Sequence, residues 1–188
     1  MRWTELFADL EAQAAAWKRV EIDAEIADRT RAELGTVAWV QRLSAAIGST
    51  VVLDVQGAAE VRGQVAALGA DWLLLEQDPS GDELLVLLSG ILGLHDLGRR
   101  AHADGARGQV LARLGVASPL RAIARDRSTV LCRLRDGSQR TGTPERVGVD
   151  HLDLVLRDTH VDSGRSRRRL TVPFAALSTI GRASSGWC

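Results

Sequence analysis

Four arginines crowded into one short stretch, Arg165, Arg167, Arg168 and Arg169, are the side chains of this 188-residue chain best suited to chemistry with a partner. They follow a Gly-Ser stem in the segment DTHVDSGRSRRR, residues 158–169. A guanidinium is a planar fork of donors that matches phosphate oxygens, so a compact arginine loop suits a nucleic-acid backbone. The loop holds no Phe or Trp and the chain no Tyr, so base stacking has no support there. A solubilising loop, or a contact for an acidic surface of the same chain, accounts for the same residues equally well.

The remaining reactive residues point away from catalysis. His95 and His102 fall in a Gly-rich connecting stretch, His151 on a strand pattern and His160 in a loop. A metal site from His95, Asp96 and His102 lacks a fourth ligand at suitable spacing, so these read as surface histidines and no metal is expected. Glu21, Asp23, Glu25 and Asp28 read as the solvated face of a helix, with Glu25–Arg29 in supporting register. G-x-S-x-G, HExxH, the phosphate-cradling G-x-x-x-x-G-K and C-x-x-C are all missing. No catalytic residue, cofactor or small-molecule substrate is expected, and the chain reads as a binding protein rather than an enzyme.

Composition sets the setting. Hydrophobic residues make up 45% and charged residues 26%, the balance of an ordinary folded domain. Cys132 and Cys188 form no disulfide framework, which fits a reducing compartment. The opening MRWTELFADLEAQ is acidic and amphipathic, unlike a signal peptide, and the longest apolar run, Leu84 to Leu94, is too short to span a bilayer. A cytoplasmic protein with no membrane contact is expected. The net charge is zero, yet residues 1–96 carry 7 basic and 16 acidic side chains and residues 97–188 carry 17 and 8. Halves of about −9 and +9 attract each other, or the basic half has an anionic partner, or they are two solvated surfaces of differing composition.

The elements that must position these residues repeat. Residues 1–30 read as an amphipathic helix capped by Thr4, with Trp3, Leu6, Leu10, Trp17 and Val20 at helical spacing. From Arg31 the chain runs through one pattern twice: Ala32-Glu-Leu-Gly35 returns as Ala112-Arg-Leu-Gly115, and Ser49-Thr-Val-Val52 as Ser128-Thr-Val-Leu131. Gly63, Gly69, Asp71, Leu73 and Leu75 fall on Gly142, Gly148, Asp150, Leu152 and Leu154, and Leu84, Val86, Leu88, Ile91 and Leu94 on Leu170, Val172, Phe174, Leu177 and Ile180. A short helical segment leads each copy, Val37 to Ile47 in the first and Pro119 to Arg125, capped by Ser118, in the second. In the second copy Val130, Cys132 and Leu134 alternate, Asp136-Gly137 marks a hairpin, and Leu152, Leu154 and Leu156 alternate again. The expected organisation is a helix (1–30), a first small barrel (31–94), a linker (95–110), a second small barrel (111–182) and a tail (183–188).

A short helix followed by five strands, with G-x(5)-G-x-D-x-L-x-L across the second and third, resembles the Sm-like or SH3-like small barrels over residues 37–94 and 117–182. The implied fold is α+β, mainly β: an amphipathic helix, then two tandem five-stranded SH3/Sm-like barrels, each led by a short helix. Sm proteins hold RNA with an Asn soon after the Asp and an Arg-Gly pair near the fourth strand. Here His151, Leu152, Asp153 and Leu154 follow Asp150, and Val172-Pro-Phe174 stands where Arg-Gly would, so that RNA pocket is not carried over. The whole chain is also similar to an uncharacterised bacterial family, some members of which are labelled Fis-type transcriptional regulators, although no helix-turn-helix is present.

The copies differ where function is to be sought. With Leu73, Leu75, Val86 and Leu88 inward, Trp72, Leu74, Leu85 and Leu87 form an apolar outer face; His151, Asp153, Thr171 and Pro173 make its counterpart largely polar. Such a face calls for a cover. The expected one is the N-terminal helix, through Trp3, Leu6, Leu10 and Trp17, within one chain or across a dimer. Two functions stay open. One is a regulator that binds RNA or DNA through the basic second barrel. The other is a module for self-association or for another protein, using the helix and the apolar face of the first.

Overall fold

Where apolar and polar residues alternate the chain is strand, and where apolar residues run on unbroken the strand is covered on both faces. Among the described residues ten strands follow one another: β1 (Thr50–Val55), β2 (Val61–Leu68), β3 (Trp72–Glu76), β4 (Glu83–Leu87), β5 (Ile91–His95), β6 (Val130–Leu134), β7 (Gln139–Val147), β8 (His151–Leu156), β9 (Arg169–Pro173) and β10 (Leu177–Arg182). Helices α1 (Trp39–Ala45) and α2 (Ala117–Arg125) precede β1 and β6, and 3-10 turns at Leu88–Gly90 and Phe174–Ala176 lead into β5 and β10. The computed structural model describes residues 17–19, 38–77, 79–98, 111, 113–157 and 168–182. The chain divides into two units, Met1–Trp39 and Val40–Cys188. In the first, residues 17–19 are helical; the rest of the expected 1–30 helix, with Trp3, Leu6 and Leu10, lies outside the described residues.

All ten strands belong to one antiparallel sheet in the order β5-β1-β2-β3-β4-β10-β6-β7-β8-β9. This corrects the expectation of two closed five-stranded SH3/Sm-like barrels. Closure would leave neither set of five with a free ladder edge. Here β5 returns to β1 and β10 returns to β6, but β4 also gives its second edge to β10, through Thr179↔Val86, Ile180↔Leu85 and Gly181↔Leu84. The sheet runs on through that ladder and ends at β5 and β9. Alternation tells which face of a strand is buried and is silent about which edge it pairs.

Two clusters of buried side chains share strands β3 and β4. Leu73, Leu75 and Val86 pack with Leu43, Leu53 and Val65 of the first half. From the opposite face of the same two strands, Trp72, Leu85 and Leu87 pack with Val116, Leu120, Leu152, Leu154 and Leu177 of the second. The unbroken runs Trp72–Leu75 and Leu84–Leu88 are thus explained by burial on both sides. The outer apolar face expected to await the N-terminal helix is covered by the second half of the sheet: Trp72, Leu85 and Leu87 are buried, and Leu74 is partly so. Trp17, one of the residues expected to cover it, belongs to the other unit.

The helix α2 is also held from the first half. Its first residue is Ala117, two positions before the expected Pro119, and no side-chain cap of its own chain segment is made. Instead the Val116 backbone N–H donates to Asp71 Oδ1 at 2.7 Å, so a carboxylate from the β2–β3 turn meets the positive end of the helix. Trp72 Nε1 donates to the Leu114 carbonyl oxygen at 2.8 Å just beside it.

Cys132, free and fully buried in β6, is pushed up to about 12 because burial disfavours the thiolate. The thiol holds its proton to higher pH when folded than when unfolded. The unfolded chain therefore ionises first, and stability falls as pH rises above about 9. In a Cys188→Ser background at pH 8, a disulfide reagent such as DTNB is expected to label no thiol until denaturant is added. Rapid labelling of the native protein would contradict that burial.

Candidate functional site

Two basic residues of the second half, Arg121 and Arg125, stand where α2 meets the end of β7. Leu120 is buried on the inner side of α2, which turns Arg121 and Arg125, four residues apart, to solvent on the other side. With Ser118, Ala124 and Val147 they line an open cleft of about 410 Å³. Arg121 Nη2 reaches the Gly148 carbonyl oxygen at 3.5 Å, a long contact that leaves most of its donors free.

Further exposed arginines lie along β7 and, toward the other end of that strand, at the end of β8 and the start of β9. Arg146 is exposed beside Val147, and Glu145 takes two contacts from Arg169: Nε to Oε2 at 2.8 Å and Nη2 to Oε1 at 3.0 Å. This is the fork-to-fork geometry that a phosphate would also accept. Arg168 is exposed one residue before Arg169, and its carbonyl oxygen accepts from Leu156 N–H at 2.9 Å. That ladder brings the exposed Arg157, the residue after Leu156, to the same end of the strands. The band therefore comprises Arg121, Arg125, Arg146, Arg157, Arg168 and Arg169.

Of the four arginines singled out by sequence, Arg168 and Arg169 stand on this band, and Arg165 and Arg167 lie outside the described residues. Arg121, Arg125, Arg146 and Arg157 escaped notice because no local cluster marks them; the fold assembles them from one helix and two strands. The spacing of Arg121 and Arg125 opposite Leu120 was the one available signal. Every basic residue of 97–188 is an arginine. Among the described residues, the Arg169–Glu145 pair is the one salt bridge between an arginine and a carboxylate. Among the described residues, the arginines of this half other than Arg169 have no carboxylate within salt-bridge distance.

Two histidines have carboxylate partners. His151 Nδ1 lies 2.8 Å from Oδ1 of its neighbour Asp150. At the far edge of the sheet, His95 Nε2 lies 2.9 Å from Asp54 Oδ2. Glu60 joins the second pair, so that one ligand atom from each of Asp54, Glu60 and His95 lies within 4.8 Å of the others. The trio considered from sequence, His95, Asp96 and His102, is not what the fold brings together: Asp96 does not belong to the group, and His102 lies outside the described residues. Among the described residues no helix is long and apolar enough to cross a membrane. No protein-family model, curated protein or solved structure matches the chain.

Proposed function

We propose that this is a non-catalytic protein that binds RNA or DNA through the arginine band of its second half. The observation that carries the reading is the unneutralised band itself, six exposed arginines with one carboxylate partner among the described residues. Unpaired surface arginines attract a polyanion and release its counterions on contact, which makes binding steeply dependent on salt. The cleft offers Ser118, Ala124 and Val147 beside its arginines, so the contacts fall on the backbone and sequence preference is slight. The alternative, an assembly module, used the N-terminal helix and an exposed apolar face on β3 and β4, and of that face Trp72, Leu85 and Leu87 are buried. The reading includes a duplication of one unit within the chain. It is supported by Gly63 and Gly142, where an added Cβ would stand 2.7 and 2.6 Å from the carbonyl oxygens of Glu76 and Val155 in the next strand. It also includes a reducing, cytoplasmic setting, supported by the free thiol of Cys132.

Fluorescence anisotropy of labelled RNA and DNA oligonucleotides across a salt series tests it. Affinity is expected to fall steeply with salt. The changes Arg121→Ala, Arg125→Ala, Arg146→Ala and Arg169→Ala should each weaken binding to all sequences alike, each flattening the slope of log K against log salt by about one unit. Combined loss of Arg165, Arg167, Arg168 and Arg169 should weaken it further. Absent binding, or binding indifferent to salt, overturns the reading.

A further inference from the structure

The edge of the sheet opposite the arginine band carries a second site. We infer that Asp54, Glu60 and His95 form a binding site for a divalent transition-metal ion of the zinc class. The site stands apart from any nucleic-acid binding.

The three residues come from separate elements. Asp54 lies near the end of β1, Glu60 just ahead of β2, and His95 at the end of the edge strand β5. The ladder between β1 and β5 places Asp54 opposite Gly93, and its register shifts between Asp54 and Val55. A bulge of that kind re-aims the side chains beside it. Gly93 and His95 are two residues apart and share a face of β5. A Cβ at position 93 would stand 2.8 Å from Asp54 Oδ2, so the Asp54 carboxylate lies over the bare backbone of Gly93. That placement brings it to His95. Any larger residue at position 93 would push the carboxylate away from the imidazole.

The donor set selects the metal class. One imidazole nitrogen with two carboxylates is a borderline ligand set that suits zinc and its first-row neighbours, whereas magnesium and calcium favour oxygen alone. Around a tetrahedral zinc with ligand distances near 2.0–2.1 Å, ligand atoms are about 3.4 Å apart. Asp54 Oδ2 and His95 Nε2, at 2.9 Å, need to open by about half an ångström, and Glu60 needs to close in from within 4.8 Å. Both side chains of the pair are 49% exposed, so rotamer changes at the surface suffice. Three protein ligands leave the fourth position to water, which describes an open, exchangeable site. A bound ion would also clamp the edge strand to the first strands of the sheet.

Isothermal titration of the full chain with zinc chloride, after chelator treatment and dialysis, tests this directly. One equivalent of zinc is expected to bind, cobalt is expected to replace it with a tetrahedral absorption band, and millimolar magnesium should not compete. His95→Ala and Asp54→Asn are each expected to lower zinc affinity at least tenfold, to about the loss of a metal-site partner or beyond. Glu60→Gln and Gly93→Val should also weaken it. His102→Ala, His160→Ala and Cys188→Ser should leave it unchanged, and circular dichroism should show every variant folded. No stoichiometric zinc uptake by the wild type, uptake untouched by His95→Ala and Asp54→Asn, or uptake lost with Cys188→Ser would each overturn the site. In any of those cases the pair is a surface hydrogen bond that keeps an edge strand polar.

Discussion

Replacing Trp72 by alanine is expected to cost about 3–5 kcal/mol of folding stability. Trp72 is 4% exposed and packs with Leu85, Leu87 and a set of residues drawn from the second half of the sheet. Its removal leaves a cavity at the place where the halves meet, and surrounding strands held in ladders on both sides collapse into it poorly. It also removes one of the two donors to the Leu114 carbonyl oxygen, which keeps the Ala70 N–H at 3.1 Å. Trp72→Phe separates the two losses. It keeps most of the apolar surface and drops the hydrogen bond, so an intermediate cost of about 1–2 kcal/mol is expected. Leu92→Ala, at a side chain 70% exposed on the edge strand, should shift stability by less than about 0.5 kcal/mol. Urea denaturation midpoints decide the matter. A Trp72→Ala protein within about 1 kcal/mol of the wild type would mean that this contact does not join the halves.

Gly57→Ala is expected to cost about 2–4 kcal/mol, for two reasons that can be measured apart. The first is conformational. Gly57 has φ +72°, where a side chain costs about 1–2 kcal/mol. The second is steric and long-range. A Cβ there would stand 2.7 Å from the Gly137 nitrogen and 2.8 Å from the Arg135 carbonyl oxygen, and closer still to the Leu134 carbonyl oxygen. The β1–β2 turn thus lies directly on the β6–β7 hairpin, near the Arg135 guanidinium that donates to Ser89 Oγ at 2.6 Å. Gly81 has φ +69° with nothing near its missing Cβ. Gly81→Ala should therefore show the conformational cost alone, and Gly81→Asn should recover part of it, because Asn tolerates this region. Gly57→Asn should recover little, since its Cβ meets the same backbone. Equal costs at the two positions, read from denaturation curves, would refute the contact between turn and hairpin.

Much of the sheet was legible in the sequence. The alternation of Val130, Cys132 and Leu134 lies on β6, that of Leu152, Leu154 and Leu156 on β8, and Asp136-Gly137 at the turn between β6 and β7, with Gly137 at φ +84°. The start of α2 was misplaced because its capping carboxylate, Asp71, comes from 45 residues upstream and no local pattern points to it. The site was less legible than the strands. Arginines adjacent in sequence stand out, while those gathered from α2, β7 and the residue after β8 do not. His95 was noticed, but beside Asp96 and His102 rather than beside Asp54 and Glu60.

The sequence by itself determined which residues form strands, which face of each is apolar, where glycine is needed in a turn, and that the charge divides between an acidic and a basic half. Those properties follow from side-chain period and local backbone preference, which act over a few residues. Only the tertiary structure decided that β4 lends its free edge to β10, that the second half covers Trp72, Leu85 and Leu87, and that His95 meets Asp54 and Glu60. Each of these joins residues tens of positions apart. An apolar face or an open ladder edge states only that a partner is required. Which partner meets it depends on every other edge and face in the chain finding its own.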